Sequence, residues 1–157
     1  MIPEKLHLAT VHFPMIGGLI AIFVLTVGVI LKNKTALLIG LGITLFSFLF
    51  TGVIMGSGEE AFLRYSEGGN KSDVLSTEGL AMMKEHEAWT HNSGKIGYLS
   101  LFVSLVGLSV YFWKKKGLIV SSIVVLLTNA VFVGISFKAA DSGGKIRRPD
   151  LIETSEK

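Results

Sequence analysis

The side chains able to do chemistry are few. The chain has four histidines, His7, His12, His86 and His91, and no cysteine. Without cysteine there is no disulfide, no thiolate metal site, no iron–sulfur cluster and no covalently attached haem. Histidines alone can still supply both axial nitrogens of a b-type haem. With carboxylates they can hold a bare transition-metal ion instead, and Glu59, Glu60, Glu85 and Glu87 fall on the same face of the predicted bundle. Glu87 and His91 are four residues apart and share a helix face. A solvated acidic loop explains the same glutamates. There is no H-E-x-x-H motif, no phosphate loop, no dinucleotide fingerprint and no G-x-S-x-G elbow.

The elements that must position these histidines are apolar. Half of the 157 residues are hydrophobic and 17% are charged, and mean hydropathy is +0.58. Val11–Leu31, Thr35–Gly56, Ile96–Trp113 and Gly117–Phe137 contain no Asp, Glu, Lys or Arg. A bilayer core about 30 Å thick takes about 20 residues of helix. The prediction is an all-α integral membrane four-helix bundle. It forms a single domain over residues 1–157, with spans near 11–31, 35–56, 94–113 and 117–137. Two antiparallel helical hairpins are joined by a loop from Ser57 to Lys95, and the basic tail from Gly143 to Asp150 is irregular. The first block runs into the second after only Lys32-Asn33-Lys34 and lacks a small-residue cleavage site, so it reads as a span, not a signal peptide. Pro14 either starts the first helix or kinks a longer one begun near Pro3.

Charge orients this bundle. Lys+Arg number 15 and Asp+Glu 12, a net charge of +3. The turns Lys32-Asn33-Lys34 and Lys114-Lys115-Lys116 hold five lysines and no acid, which leaves 15 − 5 = 10 basic against 12 acidic residues elsewhere. The positive-inside rule puts the lysine turns in the cytoplasm and both termini on the periplasmic or external side of the membrane. All four histidines fall on that outer side. The charge is too sparse for nucleic-acid binding. The spans contain no charged residue for an ion relay, and no interrupted inverted repeat suggests a transporter. Tyr98, Tyr111, Phe112 and Trp113 read as interface anchors, and so does Trp89.

Depth pairs the histidines. His12 lies 20 residues before Lys32, and His91 lies 23 before Lys114; His7 and His86 lie 25 and 28 before the same lysines. At 1.5 Å per residue each pair matches within about 5 Å. Within one helix the two histidines are five residues apart, about 140° around the axis, so only one of them faces the interior. The depth count prefers His12 with His91. Gly17, Gly18, Gly94 and Gly97 lie near enough to leave room for a macrocycle. For a bare metal the candidate ligands are His12, His86 and His91.

Val11-His12-Phe13-Pro14, opening the first helix, resembles a family of bacterial four-helix inner-membrane proteins with no assigned function. Their first helix begins with V-H-F-P, often after an L-H pair like Leu6-His7. Thr51-Gly52 matches a T-G ending their second helix, and His86-Glu87 matches a histidine before their third. Some members continue with G-G-x-I-R-H-P-E after the fourth helix. This chain has Gly143-Gly144-Lys145-Ile146-Arg147-Arg148-Pro149-Asp150, with Arg148 replacing the histidine, so a site using that histidine in relatives must differ here. Arg147 or Arg148 could contact a partner, a lipid headgroup or a haem propionate. Members are often joined to cytochrome c-like modules. The resemblance therefore implies redox work and haem b, and it selects His12 and His86, with His91 and His7 as further candidates. The expected function is a cytochrome b-like electron carrier with haem near the periplasmic face. Its expected partners are the bilayer, a quinone and a periplasmic cytochrome or larger redox complex. The alternatives are a non-catalytic subunit of a membrane complex and a His/Glu metal-binding membrane protein.

Overall fold

In a computed structural model, the structure describes residue 7 and residues 9–63 and 77–146. These residues fold as helices, with no strand among them: α1 (His12–Ile30), α2 (Lys34–Leu49), α3 (Thr51–Leu63), α4 (Thr77–Lys114) and α5 (Leu118–Lys145). α2 and α3 are separated only by Phe50, at φ −85° and ψ 0°, and together supply one apolar span over Lys34–Glu60. Four helices are thus long and apolar enough to cross a membrane.

The lysine turns end helices in recognisable ways. Asn33 N–H bonds to Gly28 O at 2.9 Å and Lys32 N–H to Val29 O at 3.2 Å, the paired closure of a Schellman motif. Its left-handed position is Lys32, at φ +50°. Asn33 then caps α2 by accepting from Ala36 N–H at 3.0 Å. At the second turn Lys115 and Gly117 are left-handed, at φ +54° and +81°.

Small residues set the packing. Gly28 meets Leu37, Gly40 meets Leu25 and Gly17 meets Ser47. The partner numbers fall as the first numbers rise, so α1 and α2 run antiparallel. α4 and α5 do likewise: Ser100 donates to Thr128 at 2.8 Å, and Gly107 lies against Ser121. Gly18 faces Val133 and Gly97 faces Phe48, so α1 touches α5 and α2 touches α4. The short diagonal joins α2 to α5: Phe48 and Phe132 meet edge to face at 4.6 Å. On the same diagonal Asn129 Nδ2 donates to Thr44 Oγ1 at 2.9 Å. α1 and α4 are left on opposite corners.

The outer surface is apolar. Phe23, Ile30, Phe102, Val120 and Leu127 are each more than 60% exposed, whereas Gly, Ala, Ser and Thr fill much of the interior. This is the reverse of a water-soluble bundle.

Two expectations are corrected. The predicted loop from Ser57 to Lys95 is helical over Ser57–Leu63 and again from Thr77. The predicted irregular tail is helical through Lys145, and Arg147, Arg148, Pro149 and Asp150 lie outside the described residues. The physical reason is continued burial. In α4 the inward positions Gly79, Met83, His86, Ser93, Gly94, Gly97, Ser100, Ser104 and Gly107 keep one helical face from the polar half into the apolar half. Hydropathy falls along this helix, but the packing stripe does not.

Candidate functional site

The site lies at the end of the bundle remote from the lysine turns. His7 stands one helical turn before α1, where Val11 N–H bonds back to His7 O at 2.8 Å. Pro14 has no N–H to give Thr10 O, so the regular ladder is interrupted between this turn and α1. His86 stands ten residues into α4.

Each imidazole is tied to the backbone of the helix beside it. His7 Nδ1 lies 3.0 Å from Ile54 O, and His86 Nδ1 lies 2.7 Å from Ala139 O. A carbonyl oxygen can only accept, so each Nδ1 carries the proton and donates it. In the neutral ring Nε2 is then the bare nitrogen with a lone pair. Among the described residues neither Nε2 has a hydrogen-bond partner.

Glycines give both rings room. A Cβ on Gly58 would stand 2.9 Å from His7 Cε1, and one on Gly143 would stand 2.9 Å from His86 Nδ1. Such approaches are closer than a real Cβ tolerates. The glycines named from sequence serve elsewhere, because they lie deeper: Gly17 meets Ser47, Gly18 meets Val133, Gly94 meets Met55 and Gly97 meets Phe48.

His86 is half-buried, and it lies outside the apolar span: counted from Lys114, its 28 residues of helix reach about 42 Å, past a core about 30 Å thick. Burial pushes its pKa down. The bond to Ala139 O acts against this, and a charge on His7 lowers it further.

The other candidates point away. His12 and His91 are exposed, as are Glu59, Glu60, Glu85 and Glu87. Trp89 Nε1 donates to Glu85 at 3.2 Å. Among the described residues no group of three or more His, Asp or Glu is placed to hold a metal ion. The structure therefore ties His7 and His86, the outer pair of the depth count, each to the backbone of a neighbouring helix, and leaves His12 and His91 exposed.

Sequence reading missed Ile54, Ser57, Gly58, Ala139, Ser142 and Gly143. One signal was available: a Ser-Gly pair follows the apolar part of the second span at 57–58 and of the fourth at 142–143. No protein family, curated protein or solved structure matches the chain. The likeness to four-helix inner-membrane proteins accordingly rests on the short motifs quoted above.

Proposed function

We propose that the chain is a multi-pass four-helix bundle of a bacterial inner membrane, built as two antiparallel hairpins. In this reading His7 and His86 would hold a b-type haem near its periplasmic end, and the protein would work as a one-electron carrier. The observation that carries this reading is the shared state of the two imidazoles: each has Nδ1 spent on a carbonyl, and among the described residues Nε2 has no hydrogen-bond partner.

A membrane location is supported by the four apolar helices and their outward Phe, Leu, Ile and Val. The five lysines at one end support an orientation with that end in the cytoplasm and both chain termini outside.

The donor set fits a haem. Two neutral imidazoles on opposite corners suit an iron whose other four ligands come from a macrocycle. A bare ion requires a protein to supply three or four donors, which the described residues do not offer. Bound haem would supply reversible one-electron chemistry, its potential set by axial ligation, burial and nearby charge. The chain's own residues do the positioning. Ile54 and Ala139 carbonyls fix the tautomer and orientation of the rings. Gly58 and Gly143 keep side chains away from them, and the helix ends beyond the span expose the site to a periplasmic partner such as a cytochrome. A quinone at the membrane surface is the proposed second partner.

The test is a reduced-minus-oxidised spectrum of protein purified from cells supplied with haem precursor. A bis-imidazole b-type spectrum is expected, retained in His12→Ala and His91→Ala and lost in His7→Ala and His86→Ala. A correctly inserted protein with no Soret band would sink the reading. So would a band that survives both His7→Ala and His86→Ala.

A further inference from the structure

The two imidazoles are held by one arrangement used twice. In α3, Ile54 O accepts from His7 Nδ1–H at 3.0 Å and from the Ser57 hydroxyl at 3.1 Å. In α5, Ala139 O accepts from His86 Nδ1–H at 2.7 Å and from the Ser142 hydroxyl at 3.1 Å, a hydroxyl that it shares with Lys138 O at the same distance. The next residue is Gly58 in one case and Gly143 in the other, where a Cβ would stand 2.9 Å from a ring atom. Ile54-x-x-Ser57-Gly58 on α3 thus faces the His7 turn ahead of α1, and Ala139-x-x-Ser142-Gly143 on α5 faces His86 of α4.

The serine matters because of what it shares. A carbonyl oxygen has two lone pairs, and inside a helix one is already engaged by the i+4 N–H. The hydroxyl and the imidazole therefore compete for what remains. Elsewhere in the bundle a serine bonding back to its own helix, such as Ser109 to Leu105 O at 2.8 Å, competes with no described side chain. Hydrogen bonding at the second nitrogen sets the orientation and the basicity of an imidazole ligand.

We propose that Ser57 and Ser142 are paired positioning residues. Each competes with the Nδ1–H···O=C bond of its histidine, and so sets the donor strength of the Nε2 atom that His7 or His86 presents. The role rests on the reading of these histidines as a ligand pair, but the bond competition itself needs no ligand.

The first measurement therefore uses the full chain without haem, in detergent, labelled with ¹⁵N-histidine. Ser142→Ala should shift the His86 Nδ1–H resonance downfield, as its bond to Ala139 O strengthens, and leave that of His7 in place. Ser57→Ala should do the reverse. Ser57→Thr and Ser142→Thr keep a hydroxyl and should restore the original resonances, and Ser109→Ala should move neither. Resonances unmoved by the alanine variants, or moved equally by Ser109→Ala, overturn the proposal. The second measurement loads haem. Both alanine variants should keep the bis-imidazole bands and titrate at a lower midpoint potential, because a stronger donor favours the ferric state. An unchanged potential with haem bound also overturns it. Shifted imidazole resonances in a chain that takes up no haem uphold the competition and remove the haem reading alone.

Discussion

His7 and His12 differ by five residues and by everything that matters to a ligand. The first is tied through Nδ1 and turned inward; the second is exposed. His86 and His91 repeat the contrast. At this scale acid sensitivity belongs to His86. Its pKa lies below the ordinary 6.5 because burial disfavours the charged ring. The unfolded chain therefore takes up this proton first as pH falls. The stability contribution is whole above about pH 6.5 and is lost as pH falls through the lower folded pKa. The thermal midpoint of the haem-free protein should drop on acidification, and His86→Gln should flatten that drop. A profile identical in wild type and His86→Gln would exclude His86 as the cause. The neighbouring glycines give a second expectation. Gly143→Ala forces a methyl to within 2.9 Å of the ring, an overpacking worth about 1–3 kcal/mol. It should lower both the thermal midpoint and haem retention, whereas Gly144→Ala, where a Cβ would meet open space, should do neither.

Between elements the contacts are small-residue and polar. Asn129 Nδ2 gives its proton to Thr44, whose hydroxyl in turn donates to Gly40 O at 3.1 Å. This fixes which end of the amide faces α2 and ties α5 to α2 across the diagonal. A double-mutant cycle of Asn129→Ala and Thr44→Ala should return a coupling of about 0.6 kcal/mol, and below about 1.7, the range for hydrogen bonds between helices in lipid. A coupling near zero would mean the diagonal is held by Phe48 and Phe132 alone. The first turn offers a stabilising change. Lys32 sits at φ +50°, a left-handed position that disfavours a Cβ by about 1 kcal/mol. Lys32→Gly should raise the melting temperature without altering the site.

For the whole molecule the question is which end faces which compartment. The chain is free of cysteine, so single cysteines report position without a background. Asn33→Cys, between the first lysines, should resist an impermeant maleimide in intact cells. Glu59→Cys, beside the histidine end, should react. The opposite pattern would invert the orientation and put the site in the cytoplasm. The same geometry explains access. α4 is 38 residues long, about 57 Å at 1.5 Å per residue. Nearly half of it extends beyond a core about 30 Å thick, and His86 lies in that extension.

The apolar runs alone determined four long helices, because a helix is the only open structure that satisfies its own backbone in lipid. Lysine placement alone marked the turns, and i, i+5 spacing alone said that the two histidines of a pair cannot both turn inward. Which one turns inward was decided only by tertiary structure. His86 continues the buried stripe through Met83 and Ser93, and the sequence hides this stripe because its residues are polar or small. The partners of the rings are backbone carbonyls of Ile54 and Ala139, and a carbonyl is present at every position of a chain. Only the packing of α3 and α5 beside the histidines says which carbonyls are used, and why Gly58 and Gly143 must lack a side chain there.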